Sequence, residues 1–338
     1  MTIKENLVEA MKQCNALSYV AVGGGLTNSS FKLLHSDRTV TFVTITDVAQ
    51  TQRELHDEVC VSKLLNSVGI KTPRILKLGS FFIEKELMTG VNLDEFFLSS
   101  PSESDTVRVI SGLGESLRKL HSFEFKHFGK INFEISDGSS ESWLSYLRNR
   151  LRKIELRISQ LDQAVRFGRF GNHDLQEALE STLRLFEEAK PYLSQIAHPR
   201  LIHGDARLAN FMAKTDQGVW KFDAIIDLDC CIAGDPDLDI VQIENWLQFT
   251  EYGDRIIKLK NTLSAGDRSL FRNDRGKKYR WRFYHCLRSL EYLLEVSEIS
   301  IREPELAKGD KIIGYVSKHS ELIHKLLHNE RLNYQFIQ

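Results

Sequence analysis

Two short polar motifs in the second half of this 338-residue chain carry side chains that could do chemistry. The first is His203-Gly204-Asp205, which is followed after four further residues by Asn210, and the second contains Asp227. A carboxylate can accept the proton of a hydroxyl group. A carboxylate and an amide oxygen, completed by nucleotide phosphates, are a usual ligand set for Mg²⁺. The two motifs therefore predict proton transfer beside a bound magnesium nucleotide.

The segment between Asn210 and Asp227 predicts a β-hairpin, because it reads as a strand, FMAK, a turn, TDQG, and a second strand, VWKFDAII. The turn carries Asp216 and Gly218, residue types that tolerate left-handed backbone conformations. A hairpin would return Asp227 to the side of Asn210. Taken alone, an aspartate at such a place is often a turn or cap residue. Protein kinases, however, use the same Asp-x4-Asn spacing for the proton acceptor and a Mg²⁺ ligand, which favours phosphotransfer.

Three motifs in order, HGDxxxxN, IDxD and GDPxxD, resemble the aminoglycoside phosphotransferase and choline kinase-like family. These are small-molecule kinases with a protein-kinase-like fold. The resemblance implies that Asp205 is the catalytic base and that Asn210 and Asp227 hold the metal ion. It also implies that Asp239 anchors the catalytic loop. The residues expected to support this loop are His203, Arg207, Asp235 and Asp239.

The order of strand-like and helix-like segments predicts an α+β, bilobal, protein-kinase-like fold. A small N-terminal lobe, an antiparallel sheet with a helix, is expected over residues 1–89 and binds the nucleotide. A larger, mostly helical lobe over residues 90–338 carries the catalytic loop and the acceptor. The boundary is placed where strands give way to helices, with a hinge near residues 86–92.

Nucleotide-binding residues are predicted in the first lobe. A glycine-rich turn between two strands can expose backbone N–H groups to phosphates, although such a turn is more often only a tight turn. The resemblance favours a phosphate-covering loop here and implies that backbone groups of the hinge meet the adenine. The residues assigned are Gly24, Gly25, Thr27, Asn28 and Ser29 in the loop and Glu86 and Met88 at the hinge.

The third strand, TVTFVTITD, departs from the family pattern. Relatives carry a Lys or Arg near the end of this strand to contact the phosphates, whereas this chain has Thr44. Glu58, on the following helix, stands where the family has the partner acid, but it could equally be a solvated surface residue. Lys32 on the adjacent strand could replace the missing cation. The departure leaves open a second interpretation, a nucleotide-binding pseudokinase or regulatory protein.

The resemblance implies that the acceptor is a small molecule with a hydroxyl group. An aminoglycoside, an amino alcohol such as choline, and another hydroxylated metabolite all fit this expectation. Glu244 and Trp246 suit a cationic ligand, although Trp246 could be a core residue and Glu244 a solvated one. Asp229 could be a further metal or substrate ligand. ATP is the expected donor, with GTP as the alternative.

Composition narrows the class of partner. Lysine and arginine total 45 and aspartate and glutamate total 46, so a net charge of −1 gives no reason to expect nucleic-acid binding. No apolar run is long enough to span a bilayer, and the N-terminus does not resemble a signal peptide. The five cysteines lack metal or disulfide spacing, which fits reduced thiols in a cytoplasm. The oligomeric state is not determined by the sequence.

Overall fold

The structure is a computed structural model, and it describes residues 3–22, 29–46, 52–133, 137–161, 166–167, 170–248, 276–302 and 310–327. The chain forms two compact units. The first, the sheet unit, comprises Met1–Leu120, Ile131–Ser136 and Leu208–Cys231, and the second, the helical unit, comprises His121–Lys130, Asp137–Arg207 and Ile232–Gln338. Within the described residues, no helix combines the length and the apolar character needed to cross a membrane.

A five-stranded antiparallel sheet and two helices form the body of the sheet unit. The elements are α1 (Ile3–Cys14), β1 (Ala16–Val22), β2 (Ser29–His35), β3 (Val40–Ile45), α2 (Gln52–Ser67), β4 (Ile75–Leu78) and β5 (Phe82–Glu86). The strands pair in the order β1-β2-β3-β5-β4. Their β-branched and aromatic residues favour extended backbone.

The two faces of this sheet pack against different helices. Val43 and Phe82 lie in a buried cluster with Leu7 of α1. Ile83 lies instead in a cluster with Leu55 and Val59 of α2. Because successive side chains of a strand point to opposite faces, α1 and α2 cover opposite faces of the sheet.

A smaller sheet and two helices complete the sheet unit. The strands β6 (Val91–Asn92), β11 (Phe211–Asp216) and β12 (Val219–Ile225) pair in the order β12-β11-β6. The helices are α3 (Leu93–Leu98) and α4 (Glu103–Leu120), and a 3₁₀ turn spans Leu208–Asn210. Asn92 caps α3, because its side-chain oxygen accepts a hydrogen bond from the Glu95 amide at 2.9 Å.

The β11–β12 hairpin has the predicted position but a different turn. Asp216 ends β11, and the two left-handed residues are Gln217 (φ 49°) and Gly218 (φ 78°). Two consecutive positive φ angles are typical of the two-residue turn whose twist matches a hairpin. Gln217 rather than Asp216 therefore takes the left-handed conformation beside the glycine.

The helical unit consists of long helices with fully buried aromatic side chains, such as Trp143 and Trp281. Its helices are α5 (Trp143–Ser159), α6 (Asn172–Leu193), α7 (Asp237–Gln248), α8 (Lys277–Arg302) and α9 (Asp310–Leu327). Its short strands are β7 (Gly129–Lys130), β8 (Arg166–Phe167), β9 (Phe170–Gly171), β10 (Arg200–Ile202) and β13 (Ile232–Gly234), of which three form a small sheet in the order β10-β13-β7.

Two ion pairs join α5 to α8. Arg157 of α5 makes two hydrogen bonds to Glu298 of α8, at 2.9 and 2.7 Å. One heptad earlier, Arg150 of α5 pairs with Glu291 of α8.

An antiparallel sheet with helices and a mainly helical unit confirm the predicted α+β class. The sheet unit, however, takes in α3, α4 and the β11–β12 hairpin as well as the five-stranded sheet. The predicted lobe boundary at residues 89 and 90 and the predicted hinge remain predictions.

The backbone conformation and close packing of Gly90, which follows β5, predict that a side chain at this position is destabilising. Its φ is +115°, and a Cβ atom there would lie 2.4 Å from the Ala213 carbonyl oxygen. Gly69 also has a positive φ, +76°, but its Cβ would meet nothing within 4 Å. Gly69→Ala should therefore lower the free energy of unfolding by about 1 kcal/mol, and Gly90→Ala by at least about 2 kcal/mol. Urea unfolding of both variants measures the difference, and equal losses would contradict this account.

Candidate active site

The loop after β10 is held by one buried carboxylate at the start of α7. Asp239 accepts the His203 amide N–H at Oδ2, 2.8 Å away, and the Gly204 amide N–H at Oδ1, 3.0 Å away. Gly204 has a φ of 77°, which glycine adopts without steric cost. Both oxygens of Asp239 therefore shape the backbone just before Asp205. This is the geometry that the predicted anchoring role requires.

The charge of Asp239 is maintained although the side chain is fully buried. Burial by itself would raise the pKa of this carboxyl group. The hydrogen bond and charge of His121, whose Nε2 lies 2.9 Å from Oδ2, together with His203, outweigh it and lower the pKa. Asp239 therefore remains a carboxylate, the form that accepts two amide hydrogen bonds.

Gln242, a residue that the sequence motifs did not single out, holds the same loop one turn further along α7. Its Oε1 accepts the Ala206 amide N–H at 3.0 Å, and its Nε2 donates to the Gly204 carbonyl at 3.1 Å. The signal was available in the sequence, since Gln242 follows Asp239 by three residues and shares its helical face.

Asp205 carries a carboxylate that two arginines hold in place. Its Oδ2 accepts from Nε of Arg207 at 2.9 Å, and its Oδ1 from Nη2 of Arg288 on α8 at 3.4 Å. Its amide N–H donates to Nδ1 of His203 at 3.3 Å. Burial opposes ionisation of Asp205, but the charges of Arg207 and Arg288 outweigh burial and lower its pKa. The group predicted to be the base is thus kept ionised and oriented.

The two acceptor-side candidates on α7 have different environments. Trp246 is partly buried, with the Arg207 guanidinium 5.8 Å from its ring centroid and the Tyr315 ring edge-on. Glu244 is 4% exposed, and its Oε2 lies 3.2 Å from Nε2 of His285. The alternative that Glu244 is a solvated residue is therefore wrong. Binding of an acceptor by either side chain stays a prediction.

In the sheet unit, the hairpin returns the chain to the side of Asn210. The Ile226 amide donates to the Asn210 carbonyl oxygen at 3.0 Å, which places Asp227 one residue away from that contact. Asn210 is buried at the end of the 3₁₀ turn, and Asp227 is exposed. Asp227 has a φ of 64°, a conformation uncommon for residues other than glycine, although aspartate is enriched there.

A buried lysine on β5, which the sequence motifs did not single out, pairs with Glu58. Lys85 forms an ion pair with Glu58 of α2, and both side chains are less than a tenth exposed. Burial opposes the charge of the Lys85 ammonium, but attraction to Glu58, and then to Asp227 and Asp229, outweighs burial and raises its pKa. The alternative that Glu58 is a solvated surface acid is therefore wrong.

Asp229 experiences the charges of the same residues. Burial, followed by the charges of Asp227 and Glu58, raises the pKa of Asp229 to about 7, while Lys85 acts in the opposite direction. Among the described residues, the carboxyl groups of Glu58, Asp227 and Asp229 thus act electrostatically on the Lys85 ammonium. A further cation would relieve their repulsion, and carboxylate oxygens with the Asn210 amide oxygen form the donor set that Mg²⁺ prefers. These residues fit a magnesium ion.

Thr44 and Lys32 lie on the same sheet as Lys85, but on different strands. Thr44 is buried on β3, where it pairs with Ser30 and Ile83 on the two neighbouring strands. Lys32 on β2 is exposed. The sequence prediction considers a cation only on β3 and β2 and therefore does not include Lys85. Its signal was a lysine two residues after Ile83 in a strand, a spacing that places both side chains on one face.

The other predicted nucleotide-binding residues belong to the glycine-rich segment and to the predicted hinge. Gly24, Gly25, Thr27 and Asn28 lie outside the described residues, and Ser29 is the first residue of β2. At the predicted hinge, the Glu86 amide donates to the Arg74 carbonyl at 2.8 Å, and Met88 is partly buried.

Asp235, in the GDPxxD motif, belongs to a buried polar chain in the helical unit. Nε1 of Trp143 donates to the Tyr284 hydroxyl at 2.6 Å, which donates to Asp235 at 2.8 Å. Burial and then the charge of Asp237 raise the pKa of Asp235 to about 6, against the opposing charge of Arg280. These contacts fit the supporting role predicted for Asp235.

Among the described residues, one group of three metal-type ligands lies elsewhere, on α6: His173, Asp174 and Glu177. His173 and Glu177 are exposed, and Asp174 accepts the Gly171 amide at the start of the helix. Exposed acids that cap a helix need no metal ion, so this group is not assigned to the site.

Comparisons with known proteins identify relatives of this chain. The sequence profile of the phosphotransferase enzyme family (APH) matches residues 18–259. A probable aminoglycoside 3'-phosphotransferase of Lactococcus lactis subsp. lactis is 27% identical over 164 residues, which cover 47% of this chain and 50% of that protein. The match thus spans about half the length of that curated relative.

Solved structures of aminoglycoside phosphotransferases share the fold. A thermostable mutant of APH(4)-Ia, in ternary complex with ADP and hygromycin B, has a TM-score of 0.64 at 14% identity, covering 97% of this chain and 99% of that one. The GDP complex of wild-type aminoglycoside 2'-phosphotransferase-IIIa has a TM-score of 0.60 at 19% identity, covering 99% and 100%. At these identities the likeness establishes the fold. Because the family profile covers well over half of the sequence, the chain belongs to the phosphotransferase enzyme family.

Proposed function

We propose that this protein is a small-molecule kinase, which transfers the γ-phosphate of ATP to a hydroxyl group in a Mg²⁺-dependent reaction. The observation that carries the proposal is the ionised Asp205 carboxylate, which follows a loop that Asp239 anchors. Membership of a phosphotransferase family supports the same reaction class. GTP is the alternative donor, since one of the related structures holds GDP.

Asp205 would orient the acceptor hydroxyl and accept its proton. Positioning and charge supply most of the rate enhancement in phosphoryl transfer. Arg207 and Arg288 fix the carboxylate by separate oxygens, so its direction is set before an acceptor arrives. Their charges also lower the pKa of Asp205 against the effect of burial, which favours the deprotonated form.

The nucleotide side of the reaction belongs to the sheet unit. Asn210 and Asp227 would hold the metal ion, with Asp229 as a further candidate ligand. When bound, Mg²⁺ supplies positive charge that offsets the charge developing on the transferred phosphoryl group. The predicted glycine-rich loop, Glu86 and Met88 complete the proposed nucleotide contacts.

The acceptor class is the open part of this function. Related structures are described as complexes with hygromycin B and with kanamycin, which are properties of those proteins. In this chain, the guanidinium groups of Arg207 and Arg288 lie beside Asp205, and Glu291 and Glu295 are acids near Arg288. The acceptor screen should therefore pair aminoglycosides and amino alcohols with neutral and carboxylate-bearing alcohols, and follow acceptor-dependent release of ADP.

A nucleotide-binding regulatory protein is the second candidate, and Thr44 is the observation behind it. The buried Lys85–Glu58 pair weakens that motive, because a cation is present on the neighbouring strand. Thermal stabilisation by Mg²⁺-ATP without turnover on any acceptor would favour this candidate. The scattered positions of the five cysteines, which have neither metal nor disulfide spacing in the sequence, support our further proposal of a reducing, cytoplasmic location.

Asp205→Asn should lower turnover by about 10²–10⁴-fold, the usual contribution of a general base. The dissociation constant of Mg²⁺-ATP should change little, because the substitution removes the proton acceptor and leaves the sheet unit intact. Steady-state kinetics and calorimetric titration measure the two quantities. Asp216→Asn, at an exposed carboxylate that pairs with Lys221, is the matched control. Near-normal turnover in Asp205→Asn would contradict the assignment.

Arg288→Met should move the acid limb of the kcat–pH profile to higher pH. Arg288 lowers the pKa of Asp205, so removing its charge raises that pKa and lets the base become protonated at a higher pH. Glu291 keeps its pair with Arg150, so the α5–α8 contact should survive. Arg157→Met, which removes the ion pair with Glu298, is the control. An acid limb at the wild-type position would show that Arg288 does not tune the base.

A further inference from the structure

Lys85 and Thr44 lie on the same face of the five-stranded sheet. Across the β3–β5 pairing, Thr44 is opposite Ile83, and Phe42 is opposite Lys85. Paired residues on antiparallel strands point to the same face, as do residues two apart on one strand. Lys85 is therefore the diagonal neighbour of Thr44, at a distance of about 7–8 Å between backbones. A lysine side chain can span that separation.

This face is the one that α2 covers. Ile83 packs against Leu55 and Val59, and Glu58 lies between them in the α2 sequence. Lys85 reaches the Glu58 carboxylate from β5. The chain thus preserves a buried lysine–glutamate pair between the sheet and α2, but the lysine comes from β5 instead of β3.

The Lys85 ammonium has hydrogen-bonding capacity beyond this pair. An ammonium group has three N–H donors. In the part of the chain that the structure describes, Glu58 is its one hydrogen-bond acceptor. Burying an ammonium with incomplete hydrogen bonding is costly, so a site of this kind favours a ligand with anionic oxygens.

The surrounding charges indicate which ligand would fit. Asp227 and Asp229 act electrostatically on Lys85, and Asp227 is a proposed metal ligand. Nucleotide phosphates held by a metal ion at Asp227 would carry anionic oxygens into the neighbourhood of this ammonium. We propose that Lys85 binds the phosphates of the nucleotide and so replaces the β3 cation that this chain lacks. The inference rests on the proposed kinase function and names a nucleotide-binding residue for it.

If the Lys85–Glu58 ion pair has only a structural role, a different experimental result is expected. Buried ion pairs often add little stability, and apolar residues of similar size can replace them. If Lys85 and Glu58 only held α2 against the sheet, replacing both by apolar residues would leave nucleotide affinity unchanged in a folded protein. If Lys85 binds phosphate, affinity for phosphate-bearing ligands falls and affinity for the nucleoside does not.

The test measures binding of Mg²⁺-ATP and of adenosine to wild type, Lys85→Met and Lys85→Met/Glu58→Leu. The double variant avoids leaving a buried carboxylate without its cation, so it remains informative where the single variant unfolds. We expect Mg²⁺-ATP affinity to fall about tenfold or more, the scale of one charged hydrogen bond, and adenosine affinity to stay within about twofold. Lys71→Met, which removes an ion pair with Asp223 in the same unit, is the control.

Moving the positive charge from β5 to β3 gives a second and more specific test. Thr44→Lys in the Lys85→Met background places an ammonium on the same face, one strand over, and should recover part of the lost Mg²⁺-ATP affinity. The proposal is overturned if a folded Lys85→Met/Glu58→Leu variant binds Mg²⁺-ATP like wild type, if both ligands weaken equally, or if Lys32→Met alone causes the loss. A wild-type protein that binds no nucleotide would instead contradict the proposed function, which keeps the two failures distinct.

Discussion

The buried carboxylate of Asp239 is the interaction on which the catalytic loop depends. One side chain fully removed from water accepts two consecutive backbone N–H groups, and it binds them most strongly as an anion. His121 and the loop itself provide the compensation that keeps it charged. A backbone N–H group that moved away from Asp239 would become a buried donor without an acceptor. The cost in free energy would be comparable to that of a lost hydrogen bond. The direction of Asp205 follows from this constraint.

The proposed functional residues of the two units lie in opposite electrostatic environments. In the helical unit a carboxylate, Asp205, is held by the guanidinium groups of Arg207 and Arg288, so the base stays ionised. In the sheet unit the Lys85 ammonium pairs with Glu58, and the charges of Asp227 and Asp229 also act on it. An excess of positive charge suits a group that must remain an anion, and an excess of negative charge suits a metal cation. Each arrangement fits the step proposed for its unit.

The position of Lys85 shows that neighbouring strands of an antiparallel sheet can present a side chain to the same helix. The family pattern places a cation on β3, whereas this chain has its buried lysine on β5. What α2 requires of the sheet is an ammonium that reaches Glu58 on one face. Any strand position with the correct parity and reach can supply it, and Lys85 has both. If only the expected position on β3 is considered, Thr44 stands there and a loss of phosphotransfer is predicted. If the whole face of the sheet is considered, Lys85 supplies the cation and phosphotransfer is favoured.

The sequence by itself determined the α+β class, the β11–β12 hairpin and the order of the motifs around Asp205, Asn210 and Asp227. These features depend on local periodicity and on spacing along the chain, which a sequence carries directly. Only the tertiary structure decided that Glu58 is buried against Lys85, that Arg288 reaches Asp205 from 83 residues away, and that Gln242 holds the loop. Pairing of strands and packing of helices bring such side chains together, and neither distance along the chain nor residue type records which partner a buried charge will meet.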